Sequence, residues 1–218
     1  VLIPLFLLAG GLVYVTEIRP DIGYGLQDSL FRKREPLALA EISPNGTTQS
    51  ISLADIQNGK AEGVAYQNSL WLVNTTYPLP DDAQTALTEY KDTELLLDRS
   101  AVRSLQELLE KAKEETGETV YLMSTYRTRE EQEAEYLADP TVAAPAGTSE
   151  HQTGLAIDLY VYQKAQREFI TSKAGVWIQD HAQEYGFIIR YPFGEKSVTG
   201  IGFEPWHIRY VGKPHAAL

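Results

Sequence analysis

Two short segments, Ser149-Glu150-His151-Gln152-Thr153-Gly154-Leu155-Ala156-Ile157-Asp158 and Glu204-Pro205-Trp206-His207, constrain this chain more than anything else in it. Together they hold two of the four histidines, an aspartate and, three residues before the second histidine, Glu204. Two imidazoles and one carboxylate are a frequent ligand set for catalytic zinc, because three protein ligands leave a fourth position for water. The expected ligands of a single Zn2+ are His151, Asp158 and His207. Glu204 lies three residues before a ligand and is free to act as proton carrier. Such a reading requires a fold that brings the two segments face to face.

The remaining histidines lack this context. His181, within Trp177-Ile178-Gln179-Asp180-His181, and His215, near the end of the chain, have no carboxylate-rich motif beside them and read as structural or surface residues.

Periodicity places the motifs on elements. Val102, Leu105, Leu108, Leu109 and Ala112 recur at helical spacing, and Gly117 is a suitable stop, so a helix is expected over residues 98–117. Residues 119–124 read as a short buried strand that delivers Tyr126-Arg127. Thr128-Arg129-Glu130-Glu131 is a capping box opening a helix to about Ala138, with Gln132 in its second turn near Arg127. Residues 154–162 read as a strand. Its period of two puts Gly154, Ala156 and Asp158 on one face and Leu155, Ile157 and Leu159 on the other, as core. A helix over 172–185 ends at Gly186 and leads to a strand at 187–191. A turn at Thr199-Gly200 precedes a last strand over 206–211. Pro205 places Glu204 just before regular pairing begins. The expected fold class is α+β, an antiparallel sheet flanked by helices with the zinc site on one sheet face.

Ser-x-His-x-x-Gly-x-Ala-x-Asp followed by Glu-x-Trp-His resembles the zinc D-alanyl-D-alanine carboxypeptidases of the VanY type. These are LAS metallopeptidases, named for lysostaphin, D-Ala-D-Ala peptidases and sonic hedgehog. The resemblance extends to Ser124-Thr125-Tyr126-Arg127-Thr128 with Gln132, to Gly186-Phe187-Ile188-Ile189-Arg190-Tyr191-Pro192, to Thr199-Gly200, and to Ile208-Arg209-Tyr210-Val211-Gly212. Leu72-Val73-Asn74 with Pro78-Leu79-Pro80 is similar to the lead-in of that domain, so the likeness covers about residues 70 to 215. Thr125 stands where the family usually has Gly, and Glu195-Lys196 reverses a common order; neither touches an expected ligand. The resemblance implies the same hedgehog/D,D-peptidase-like fold. It also implies anchoring of the substrate by Arg127, Gln132 and Ser149.

Composition sets the outer bounds. At 218 residues with 43% hydrophobic content, the chain can bury a substantial core. A net charge of −11 argues against a nucleic-acid partner, since phosphate binding needs clustered Lys and Arg. The absence of cysteine excludes disulfides and thiolate ligands. Residues 1–15 contain no charged side chain. This run is somewhat short of the about 20 residues of a full span, and residues 1–19 are read as a truncated membrane anchor. A signal-peptide core and a buried helix are the competing readings. Residues 20–69 carry the turn signals Asn45-Gly46 and Asn58-Gly59 and read as a stalk or extension, with the catalytic domain over 70–218.

The chemistry expected of these residues is hydrolysis. Glu204 would accept a proton from water and pass it to the departing amine. Arg127, cationic at any workable pH, could hold a substrate carboxylate or a developing oxyanion. Tyr191, Trp206 and Tyr210 read as wall and packing residues rather than chemical participants, with Tyr191 and Trp206 among the expected substrate contacts. The resemblance to the VanY-type enzymes implies removal of a C-terminal D-alanine from peptidoglycan stem peptides or their precursors, at the outer face of a bacterial cell. L,D-carboxypeptidase, D,D-dipeptidase and endopeptidase activities remain alternatives on the same fold. A zinc-structured binding module without catalysis fits less well, because it has no need of Glu204 beside an open metal position.

Overall fold

The computed structural model describes residues 19–31, 70–91 and 93–216. In chain order the elements are α1 (Pro20–Phe31), β1 (Leu87–Glu89), β2 (Leu96–Asp98), α2 (Arg99–Thr116), β3 (Val120–Ser124) and α3 (Arg129–Ala138). They continue as β4 (Ala156–Val161), α4 (Lys173–His181), β5 (Phe187–Ile189), α5 (Lys196–Thr199), β6 (His207–Tyr210) and α6 (Lys213–Ala216). Short 3-10 helices cover Glu150–Thr153, Gln166–Thr171 and Ala182–Tyr185.

Four strands form an antiparallel sheet in the order β3-β4-β6-β5, and β1 pairs with β2 as a small separate ribbon. Alternation along β4 sends Ile157, Leu159 and Val161 to one side. There they join Ile208 and Phe187 and pack on Leu105, Leu108 and Ala112 of α2 and Ala174 and Ile178 of α4. Asp158, between them in sequence, is on the opposite face. One face of the sheet is therefore apolar and covered by helices, and the other is left for polar side chains. This is the α+β architecture expected from the sequence.

Local signals explain the helix ends. The Asp98 carboxylate accepts from the Ser100 backbone N–H at 2.9 Å at the start of α2, and Gly117, at φ +74°, donates to the Lys113 carbonyl at its end. The box at α3 is complete: Thr128 Oγ1 accepts from Glu131 N, and Glu131 Oε2 accepts from Thr128 N.

The structure departs from the sequence reading in several places. Gly154 is not on the strand; it closes the Glu150–Thr153 turn in the left-handed conformation, at φ +70°. A Cβ there would meet Leu87 Cδ2 at 2.7 Å and Asp98 N at 2.9 Å, so glycine is required by packing against the β1–β2 ribbon rather than by room for a metal. Strand β5 ends at Ile189, which releases Arg190 and Tyr191 from the ladder. The turn at Thr199-Gly200 is the end of the one-turn helix α5. Within the segment read as a stalk, residues 20–31 form a regular helix, α1, which lies against the 3-10 turn Gln166–Thr171. Residues 1–18, and with them the expected anchor, lie outside the described residues, as do residues 32–69. No helix among the described residues is long and apolar enough to cross a membrane.

Candidate active site

Register across the sheet assembles the centre of the site. Asp158 of β4 is opposite Ser124 of β3 on one side and His207 of β6 on the other, after a bulge in β3 between Leu122 and Ser124. His151 comes from the 3-10 turn that precedes β4. Its Nδ1 is 2.7 Å from the Thr125 carbonyl, so Nδ1–H is the donor and Nε2 is turned towards Asp158 Oδ2, 3.2 Å away. The His207 ring uses the opposite atom: Nδ1 is 2.9 Å from Asp158 Oδ1. One ligand atom from each of His151, Asp158 and His207 can be chosen so that all lie within 4.8 Å of one another, and all three residues are buried. For bonds of about 2.0–2.2 Å in tetrahedral array, ligand atoms sit roughly 3.3 Å apart, and the 3.2 Å and 2.9 Å approaches of Asp158 to the two rings are close to that spacing.

A buried carboxylate that the sequence reading did not single out stands behind this group. Glu150, 3% exposed, accepts from Arg190 Nε at 2.7 Å and pairs with Arg209 Nη1 at 3.3 Å. Its other oxygen is 3.5 Å from His207 Nε2. Burial would raise its pKa, but Arg209, His207 and Arg190 outweigh that effect and hold it at about 2. The sequence did contain a signal: Arg209 lies in a buried strand, and a buried arginine needs a carboxylate partner.

The nine residues expected as ligands, proton carrier or substrate contacts line one cavity of about 380 Å³: Arg127, Gln132, Ser149, His151, Asp158, Tyr191, Glu204, Trp206 and His207. Tyr210 does not line it and packs edge to face on Phe187 against the core. Glu204 sits just before β6. Its backbone N–H donates to the Tyr191 carbonyl, its carbonyl accepts from His207 N, and the following Pro205 carbonyl accepts from Gln179 Nε2 at 2.8 Å. Burial pushes its carboxyl up to about 7 against the pull of His207, with the Asp158 charge adding to the rise. Burial lowers the affinity of His207 for a proton, yet its contacts with Asp158 and Glu150 raise its pKa to about 9. Burial also pushes the Tyr191 hydroxyl upward, and its ring packs 4.9 Å from that of His207.

The substrate-side residues are more varied. Arg127 is tied through its backbone N–H to the His151 carbonyl, while its buried Nε has no hydrogen-bond partner among the described residues. Gln132 is 1% exposed, and its Nε2 donates to the Ala144 carbonyl at 2.6 Å. Its Oε1 has no hydrogen-bond partner among the described residues. The free end of Gln132 is thus an acceptor turned into the cavity that Arg127 also lines. The Ser149 hydroxyl oxygen accepts weakly from His151 N at 3.4 Å and caps the turn that carries the histidine. His181 and His215 do not line this cavity. The first stacks on Trp177 at 4.4 Å, and each places Nδ1 within 2.9 Å of a backbone carbonyl four residues earlier.

Residues 94–213 match the family model described as VanY, D-alanyl-D-alanine carboxypeptidase. The chain belongs to the VanY family. Across its whole length it is 32% identical to a D-alanyl-D-alanine carboxypeptidase of Enterococcus faecium, of which the match spans 73%. Among solved structures, it resembles the LD-carboxypeptidase LdcB with a TM-score of 0.61 and 34% identity, over 68% of this chain and 78% of the other. It also resembles the D,D-pentapeptidase VanY, solved as a glutamate-to-alanine mutant with Zn(II), with a TM-score of 0.59 and 32% identity, over 69% and 92%. Membership of the VanY family makes the protein a peptidase of the hydrolase class, and the cavity holds His151, Asp158 and His207, a donor set suited to zinc.

Proposed function

We propose that the protein is a zinc-dependent D,D-carboxypeptidase that removes the C-terminal D-alanine from peptidoglycan stem peptides or their precursors. The observation that carries this reading is the convergence of His151, Asp158 and His207 with Glu204 and Arg127 in one cavity. The metal would be held by His151 Nε2, a carboxylate oxygen of Asp158 and His207 Nδ1. When bound, zinc supplies a Lewis acid that acidifies water and polarises the scissile carbonyl.

The rest of the chemistry falls to the chain's own groups. Glu204, buried and with a raised pKa, takes up a proton on its carboxylate and returns it to the leaving amine. Arg127 offers a fixed positive charge to the carboxylate of the terminal D-alanine. Gln132 holds the loop at Ala144 and keeps an amide oxygen for a substrate N–H. Ser149 braces the turn of His151, and Tyr191 and Trp206 bound the pocket.

The likeness to LdcB supports a second reading, an L,D-carboxypeptidase acting on tetrapeptides. Incubation of the zinc-loaded protein with stem pentapeptide and with stem tetrapeptide, read by product mass, separates the two. Loss of one D-alanine from the pentapeptide alone supports the D,D reading, and cleavage of the tetrapeptide alone replaces it with the L,D reading.

This activity belongs outside the cytoplasm, at the bacterial cell surface. The uncharged apolar run over residues 1–15 supports attachment to the membrane there. Recovery of the full-length protein in the soluble cytoplasmic fraction would refute that attachment.

A further inference from the structure

Helix α1 lies outside residues 94–213, the part matched by the family model, yet it is packed onto the segment that carries Glu204. That segment leaves β5 at Ile189 and returns at His207, with only the one-turn α5 between, so little regular structure holds it. Its aromatic residues Phe193 and Phe203 meet edge to face, with ring centroids 5.6 Å apart. Tyr24 of α1 stacks on Phe203 at 5.7 Å, with the planes only 7° from parallel. The Phe193 ring occupies the space beside Gly25, and a side chain at Gly25 would overlap it. Phe203 immediately precedes Glu204, which lines the catalytic cavity. A second connection runs through the turn Gln166–Thr171, against which α1 lies. Arg167 of that turn attracts both Asp21 of α1 and Glu204 of the site, and Asp21 is itself buried and paired with Arg19 at 2.8 Å.

We propose that α1 is a positioning element of the active site: by clamping Phe193 and Phe203 it fixes the β5–β6 excursion and, through it, the carboxylate of Glu204. The proposal rests on Glu204 being the proton carrier. One stacked and one edge-to-face partner restrict Phe203 to one arrangement, and a displacement of about 1 Å at a reacting group can lower a rate by about 10²-fold.

The test uses the full chain carrying Tyr24→Ala, Gly25→Leu, Tyr24→Phe or, as a control on the exposed side of α1, Leu30→Ala. Tyr24→Ala and Gly25→Leu should lower kcat on stem pentapeptide by about tenfold or more. KM should stay within about twofold of the parent, because Arg127 and its carboxylate contact lie elsewhere in the cavity. Zinc content should remain one per chain. Hydrogen exchange over residues 193–204 should accelerate in these two variants. Leu30→Ala should match the parent in every readout, and Tyr24→Phe, which keeps the stacked ring, should lie far closer to the parent than Tyr24→Ala does. Unchanged kcat with accelerated exchange would overturn the proposal, since the clamp would then exist without positioning Glu204. Unchanged exchange in both disruptive variants would overturn it as well, by showing that α1 does not hold the excursion. A parent protein inactive on every stem peptide would overturn the D,D-carboxypeptidase reading, and the exchange comparison would still report on the clamp.

Discussion

His207 is held from both sides: Nδ1 lies 2.9 Å from Asp158 Oδ1, and Nε2 lies 3.5 Å from Glu150 Oε2. The ring can neither rotate nor exchange its nitrogens without losing one carboxylate. A carboxylate behind a ligating histidine fixes its tautomer and orientation and raises its basicity as a ligand. Arg190 and Arg209 in turn fix Glu150, so the set extends from the cavity into β5's exit and β6.

Replacing Glu150 should therefore weaken metal binding without removing a ligand. Glu150→Gln keeps the shape but loses the charge, and zinc affinity should fall about 10- to 100-fold. Competition with a chelating dye measures this directly. An affinity equal to that of the parent would show that Glu150 serves only to neutralise the two arginines. Glu150→Ala leaves both arginines facing a buried void and should cost about 3–5 kcal/mol of stability, measurable by denaturant unfolding.

Glu204→Gln should retain a full complement of zinc and a normal fold while turnover drops by about 10²-fold or more. Elemental analysis of the purified variant, alongside kcat on stem pentapeptide, checks both halves. Near-normal turnover by a zinc-loaded Glu204→Gln protein would remove Glu204 as the proton carrier.

The raised pKa of Glu204 also makes a prediction for the metal-free protein. The native state holds a proton on this carboxyl up to about pH 7, whereas the ordinary value is 4.5. Between these values the native state binds more protons than the unfolded chain, so stability falls as pH rises through this window. The displacement corresponds to about 3 kcal/mol, fully present above pH 7. Glu204→Gln should consequently raise the melting temperature of the metal-free protein at pH 8, and much less at pH 5. Equal effects at both pH values would show that burial of the charge is not what the substitution relieves.

Arg127 should govern recognition of the free C-terminus. Arg127→Ala should lower kcat/KM by orders of magnitude, since loss of one partner of a buried charge pair costs about 2–5 kcal/mol. Amidation of the substrate's C-terminus should impair the parent far more than the variant. If amidated and free-acid pentapeptides are cleaved equally well by the parent, the carboxypeptidase reading gives way to an endopeptidase of the same fold.

What the sequence determined by itself are the features whose causes are local. The 3.6-residue spacing of Leu105, Leu108 and Ala112, the stop at Gly117 and the Thr128–Glu131 box depend on neighbours within one or two turns, and all are present as read. Alternation along β4 likewise separates Asp158 from the core residues Ile157 and Leu159, because successive strand side chains point to opposite faces. Tertiary structure alone decided the rest. Glu150 finds Arg190 and Arg209 from 40 and 59 residues away, and periodicity carries no record of such a partnership. The same holds for the donor of Gln132, drawn to the Ala144 carbonyl, and for the choice of ring nitrogen in His151, set by Thr125. Helix α1 was hidden in a turn-rich stretch because its stability comes from Phe193, Phe203 and the Gln166–Thr171 turn rather than from its own sequence. A 12-residue helix is marginal alone, and only the surface it meets makes it persist.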